Sequence, residues 1–157
     1  MKSAVVKNVG LIRLFCENQK VLMIFALSFY KGENMKKVHT DNAPAAIGPY
    51  SQAIVHGDMV FTSGQIPINP ETGNVEACDI VSQTEQVMKN LGAVLSAAGS
   101  SYEKAIKTTC FLANMADFAA FNEIYAKYFT EKPARSCVAV KTLPKNVLIE
   151  VEVIALI

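Results

Sequence analysis

Two hydrophobic periods alternate along residues 35–157. After Asp79, apolar residues recur at Ile80, Val87, Met88, Leu91, Val94, Leu95 and Ala98, with Thr84 in the same stripe. This 3.6-residue period predicts a helix of about five turns, with Asp79 as its N-cap and Gly99 as its stop. Asp117 is the expected cap of a second helix, whose stripe is Phe118, Phe121, Tyr125, Tyr128 and Phe129. Thr130-Glu131-Lys132-Pro133 ends it. Elsewhere the period is two. Ala105 to Leu112 sets Ile106, Thr108, Cys110 and Leu112 on one face of a strand. Ser51 to His56 and Met59 to Ser63 flank a His56-Gly57-Asp58 turn and read as a hairpin. Ala134 to Leu143 and Val147 to Ile157 read as two more strands, joined by Leu143-Pro144-Lys145-Asn146. Lys37 to Thr40 suits a short edge strand. Asn42 to Tyr50, with two prolines and a glycine, is an ordered loop, and Pro67 to Gly73 is a turn-rich one.

The order is strands, helix, strand, helix, strand, strand. It predicts an α+β domain in which two helices pack on one face of a mixed sheet. The other face still carries apolar side chains. Covering them takes oligomerisation, so a closed homo-oligomer is expected.

Composition narrows the class without changing this layout. The chain has 157 residues, 51% hydrophobic and 18% charged, enough for one domain with a real core and too apolar for disorder. Residues 35–157 carry ten Lys and Arg against twelve Asp and Glu, a net of −2. A nucleic-acid footprint is therefore not expected. Cys16, Cys78, Cys110 and Cys137 are scattered through apolar contexts, which fits reduced thiols in a cytosolic protein. His39 and His56 stand in no ligand cluster, so no metal site is expected.

Residues 1–34 differ in character, with five Lys and Arg against two acids. Val21 to Tyr30 is an apolar run of ten, against the roughly 20 residues of a membrane span. It also suits the apolar region of a signal peptide, but Glu17 and Asn18 interrupt the approach and no small-residue cleavage site follows. A third reading fits better. Lys31-Gly32-Glu33-Asn34-Met35 back-translates to a purine-rich ribosome-binding sequence ahead of a start codon. Met35 is then the expected start, with 1–34 a translated leader.

The candidate chemistry is sparse. Arg135 is the only arginine of residues 35–157. It opens a strand between apolar neighbours, and its planar fork of donors suits a carboxylate or a phosphate. A surface residue or a structural ion pair is the plain alternative. In Leu148-Ile149-Glu150-Val151-Glu152-Val153-Ile154 the two glutamates share one strand face. If that face meets solvent they are ordinary, and if it lines a subunit cleft one of them becomes a base with a raised pKa. Tyr50 either caps the core or presents its hydroxyl from the Gly48-Pro49 turn. Gly64 ends a strand, either as a bulge or where a ligand approaches, with Ser63 as a donor beside it. Asn122 is either a solvated neighbour of Phe121 or a polar group aimed at a site. Arg135 and Glu150 lie on sequence-adjacent strands and together suggest an anion anchor with a general base.

Four segments carry a family resemblance. They are Asn42-Ala43-Pro44-Ala45-Ala46-Ile47-Gly48-Pro49-Tyr50, Thr62-Ser63-Gly64-Gln65-Ile66-Pro67, Pro133-Ala134-Arg135-Ser136-Cys137-Val138, and Leu143-Pro144 followed by Ile149-Glu150-Val151-Glu152. In order and spacing, residues 35–157 resemble the RidA family of reactive imine and enamine deaminases. The resemblance implies a chorismate-mutase-like fold, a homotrimer with sites between subunits, and no cofactor. The implied reaction is hydrolysis of 2-iminobutanoate and 2-iminopropanoate, released by pyridoxal-phosphate enzymes such as threonine dehydratase. Arg135 would clamp the substrate carboxylate, and Glu150 would activate water. Tyr50, Ser63 and Asn122 match further pocket positions, and the backbone of Gly64 and Cys137 would touch the ligand. Two rivals remain within this reading. One is a non-catalytic sensor of small carboxylates, and the other a chaperone-like or translation-inhibiting protein.

Overall fold

A computed structural model describes residues 35–157. The apolar run Val21 to Tyr30 and the expected leader lie outside the described residues. The strands are β1 (Lys36–Val38), β2 (Ala53–His56), β3 (Met59–Thr62), β4 (Ala105–Leu112), β5 (Ala134–Ala139) and β6 (Ile149–Leu156). The helices are α1 (Ile80–Ala98) and α2 (Phe118–Tyr128). One sheet runs in the order β1-β2-β3-β6-β4-β5. Only β4 and β5 pair in parallel, joined by the α2 crossover. This is the mixed α+β sheet with two helices on one face that the periodicity predicts.

The helix α1 begins where the Asp79 carboxylate accepts hydrogen bonds from Ser82 N at 3.0 Å and Ser82 Oγ at 2.6 Å. It stops at Gly99, whose φ of 84° is open to glycine. Its stripe of Val87, Met88, Leu91, Val94 and Leu95 is fully buried. Beneath it lie Val60, Cys110, Leu112, Ile149, Val151 and Val153 of the sheet, and beside it Phe121 of α2 and Phe129 just past its end. Each such side chain contributes about 1.5–3 kcal/mol by leaving water.

Several expectations need correction. Asp117 makes no side-chain cap on α2. The helix is entered through a 3₁₀ turn, and Asn114 caps that turn by accepting from Ala116 N at 3.0 Å. Ile106 does not join Thr108 and Cys110 in the core. A β-bulge between Ala105 and Lys107 turns it outward, 41% exposed, because one extra residue reverses the alternation of a strand. β5 ends at Ala139, and β6 starts at Ile149 after a 3₁₀ turn at Pro144–Asn146. β5 and β6 are also not neighbours, since β4 lies between them.

Candidate functional site

The strand order decides how the candidate residues meet. Arg135 on β5 lies opposite Thr108 on β4, and Glu150 on β6 lies opposite Phe111. Directly paired residues share a face, and Thr108 and Phe111 are three apart, so they point to opposite faces. Thr108 is buried under the helices. Arg135 is therefore on the helix side, at the edge strand, and Glu150 is on the open side of a central strand. Within one chain the sheet separates them.

On the helix side, Arg135 is exposed but held. Its Nη1 donates to Asn122 Oδ1 at 2.8 Å. Its guanidinium carbon lies 4.6 Å from the Tyr125 ring centroid, with Phe118 and Phe121 farther off. A cation over aromatic faces is stabilised by their quadrupoles. Tyr125 is itself fixed, with its hydroxyl 2.8 Å from Thr108 Oγ1. Asn122, Tyr125, Thr130, Pro133 and Arg135 line one open depression. Among the described residues Arg135 makes no salt bridge. The structural ion pair considered above is thus not formed, and most of the fork is free for an anion. Cys137 is two residues along β5 and paired with Cys110. Burial raises the pKa of both thiols, that of Cys110 to about 12. For Cys137 the nearby Arg135 opposes that rise. Neither thiol is an activated nucleophile.

On the open side, a second bulge builds the surroundings of Glu150. Phe61 pairs with Ile154, and Gln65 bridges Val151, so four steps along one chain stand against three along the other. The Thr62 hydroxyl fills the gap by accepting from Val153 N at 2.9 Å. The extra residue turns Gln65 inward, where it is buried, and leaves Gly64 against Glu150. A methyl group on Gly64 would lie 2.7 Å from Glu150 Cδ and 3.0 Å from Cγ. Burial raises the pKa of the half-buried Glu150 carboxyl, and repulsion from Glu152 adds to the rise. Ser63 donates its hydroxyl to Ser51 O at 2.7 Å and keeps acceptor capacity. Tyr50 is half-exposed and shares a depression with Gly64, Ile47 and Ile66.

The candidates thus form two groups. Arg135, Asn122 and Cys137 lie on the helix side. Glu150, Gly64, Ser63 and Tyr50 lie at the open side and its adjoining loop. Tyr125 as a platform for Arg135 went unnoticed in the sequence because it reads as core. Its partner Thr108, on the buried face of the paired strand, was the available signal. The buried carboxamides Gln52, Gln83 and Asn90 were also unnoticed.

Among the described residues, fold and geometry define a small α+β protein with an arginine free of salt bridges at one edge of its sheet and a half-buried carboxylate of raised pKa on the face without helices. The family model described as Endoribonuclease L-PSP matches residues 40–157, and the chain belongs to this family, that of the RidA and RutC proteins. It is 50% identical over 124 residues to the 2-iminobutanoate/2-iminopropanoate deaminase of Escherichia coli, covering 76% of this chain and 96% of that one. It is 49% identical over 134 residues to the chloroplastic Reactive Intermediate Deaminase A of Arabidopsis thaliana, covering 83% and 72%. The structure of E. coli TdcF with bound serine superposes with a TM-score of 0.74 at 45% identity, covering 78% of this chain and 98% of that one. Among the described residues no helix is long and apolar enough to cross a membrane.

Proposed function

We propose that this protein hydrolyses small 2-imino acids, such as 2-iminobutanoate and 2-iminopropanoate, to 2-oxo acids and ammonia. The observation that supports this is an arginine without a salt bridge among the described residues on one face and a half-buried carboxylate of raised pKa on the other, which packing against a second copy would bring together. One protomer supplies Arg135, Asn122 and the Cys137 backbone. Its partner supplies Glu150, Gly64, Ser63 and Tyr50. The exposed apolar side chains of the open face, Phe61 at 40% and Val138 at 48%, support its burial against another copy. The family resemblance makes that assembly a chorismate-mutase-like homotrimer.

The guanidinium binds the substrate carboxylate bidentately, with charge-assisted bonds of about 1.5–3 kcal/mol each. At neutral pH the imine is largely an iminium and is already electrophilic. Glu150 takes a proton from water as the oxygen attacks the iminium carbon. The proton is returned to nitrogen, the carbon–nitrogen bond breaks as the new hydroxyl gives its proton to Glu150 and becomes the carbonyl, and the departing ammonia takes that proton to leave as ammonium beside the 2-oxo acid. Such general-base assistance contributes about 10²–10⁴ in rate. Glu150 suits this role because burial and Glu152 keep its carboxyl more basic than usual. Imines of this kind arise from pyridoxal-phosphate-dependent dehydratases, so the protein would work beside them in the cytoplasm. An RNA-cleaving role fits poorly with ten basic against twelve acidic residues in 35–157.

The test couples threonine dehydratase to semicarbazide trapping. The protein should speed 2-oxobutanoate release at the expense of the semicarbazone. Arg135→Ala should abolish this while size-exclusion chromatography shows the same oligomer. Wild-type rates in that variant would refute the anchor role. A Glu150→Gln variant that keeps full activity would refute Glu150 as the base, and a wild-type protein that binds 2-oxobutanoate without speeding its release would favour a non-catalytic binder.

A further inference from the structure

Gln52 is 2% exposed, yet no step above uses it. Its carboxamide reaches back into the loop before Tyr50. Nε2 donates to Thr40 O at 3.0 Å, Ala43 O at 3.2 Å and Pro44 O at 2.8 Å. Oε1 accepts from Thr40 N at 2.7 Å. Apart from a surface contact between His39 and Asp41, these are the hydrogen bonds that join Thr40–Pro44 to the rest of the described residues. Two N–H donors are shared among three carbonyls, so no local substitute remains if the amide is lost. Unpartnered, those main-chain groups must open to water.

The main chain around Gln52 faces the other half of the same depression. Its own carbonyl accepts from Ser63 N at 3.0 Å, and Ser51 O accepts from Ser63 Oγ. Tyr50, Gln52 and Gly64 line one depression. Another buried carboxamide nearby, Asn90, donates to Ile66 O and Ile68 O at 2.9 Å. That segment has strand-like bridges of its own, at Gln65–Val151 and Ile68–Val75. The loop before Tyr50 has none. Within it Tyr50 N donates to Gly48 O at 2.8 Å and Ile47 N to the Tyr50 hydroxyl at 3.4 Å, so the attachment of Thr40–Pro44 to the sheet depends on Gln52 and on the buried Ala43.

We infer that Gln52 is a positioning residue, holding the Thr40–Tyr50 loop so that the Tyr50 hydroxyl meets a substrate bound over Gly64 and Glu150. This rests on the deaminase reading. The experiment measures kcat and KM for 2-iminobutanoate hydrolysis in wild type, Gln52→Ala, Tyr50→Phe and the double variant. Val94→Ala, a core truncation in α1, serves as a control for lost stability. Amide hydrogen exchange is followed across Thr40–Tyr50 in each. Gln52→Ala should lower kcat about 10- to 100-fold, the upper end being the cost of a 1 Å misplacement of a reacting group, with KM within about twofold. The double variant should be no slower than the slower single, because a Tyr50 already displaced has nothing further to lose. Exchange in the loop should quicken in Gln52→Ala and not in Val94→Ala. Additive losses, an equal kcat loss in Val94→Ala, or unchanged loop exchange would each overturn the inference. A wild-type protein without imine hydrolysis would instead refute the deaminase reading, and loop exchange would still decide whether Gln52 is the tether.

Discussion

Gly64→Ala isolates the Glu150 carboxylate with the smallest possible change. Nothing in the backbone requires glycine there, because the positive φ values of the described glycines fall at Gly57, Gly73 and Gly99. Alanine is therefore unstrained, and only space decides the outcome. The new methyl would overlap Glu150 Oε1 and lie 2.7 Å from Cδ, against about 3.7 Å for an ordinary carbon–carbon contact. The carboxylate must recede by at least about 1 Å. It can do so, since it is the end of a flexible side chain on the uncovered face. The stability loss should then stay within the roughly 1–3 kcal/mol of overpacking. Catalysis is less tolerant, because a 1 Å misplacement of a reacting group costs about 100-fold, equal to about 2.7 kcal/mol of barrier. The assay is 2-oxobutanoate release from threonine dehydratase under semicarbazide competition, with thermal denaturation to verify folding. A folded Gly64→Ala protein within threefold of wild-type kcat/KM would refute Glu150 as the base over Gly64.

Asn122→Ala removes the 2.8 Å bond that fixes the guanidinium and leaves its stack on Tyr125. KM should rise about five- to tenfold, the worth of roughly 1–1.5 kcal/mol, with kcat little changed, and an unaltered KM would show that the stack alone orients Arg135. Glu150→Gln should lower kcat about 10²–10⁴-fold. Its stability profile carries a sign as well. Burial first, and Glu152 second, raise this carboxyl above its ordinary 4.5, so it contributes stability below that value and loses it as pH rises through the raised one. Melting temperatures of the Gln variant and wild type should therefore diverge in the variant's favour as pH climbs from 4.5, and a constant difference would contradict the assigned shift. Asp79→Ala removes the cap on Ser82 N. It should lower the melting temperature by several degrees without changing KM, and an unchanged melting temperature would show that the helix start needs no cap.

Much of this protein was legible from local pattern. The stripe from Ile80 to Ala98 and its stops at Asp79 and Gly99 are visible because helix periodicity and capping involve residues within a few positions of one another. Arg135 stood out by its rarity, and Glu150 because a carboxylate within an apolar strand needs a reason. The failures are equally specific. Asp117 has a capping residue type, but the chain enters α2 through a 3₁₀ turn that Asn114 caps. Ile106 has the right period and the wrong face, because a bulge precedes Lys107. Gln52 looks like any polar residue in a strand, and its four bonds go to residues 8–12 positions away in an irregular loop.

The sequence by itself determined the main elements, their order and the short roll of candidate side chains, since these follow from local spacing and residue chemistry. Only the tertiary structure decided which side chains share a space. Placing β4 between β5 and β6 sends Arg135 and Glu150 to opposite faces, although turn-linked strands suggested neighbours. The bulge after Thr62 sets Gly64 against Glu150. Both outcomes follow from long-range pairing, whose order is chosen by burial across the whole sheet. A strand's alternation defines two faces, and a change of neighbour or of one residue in register reassigns them.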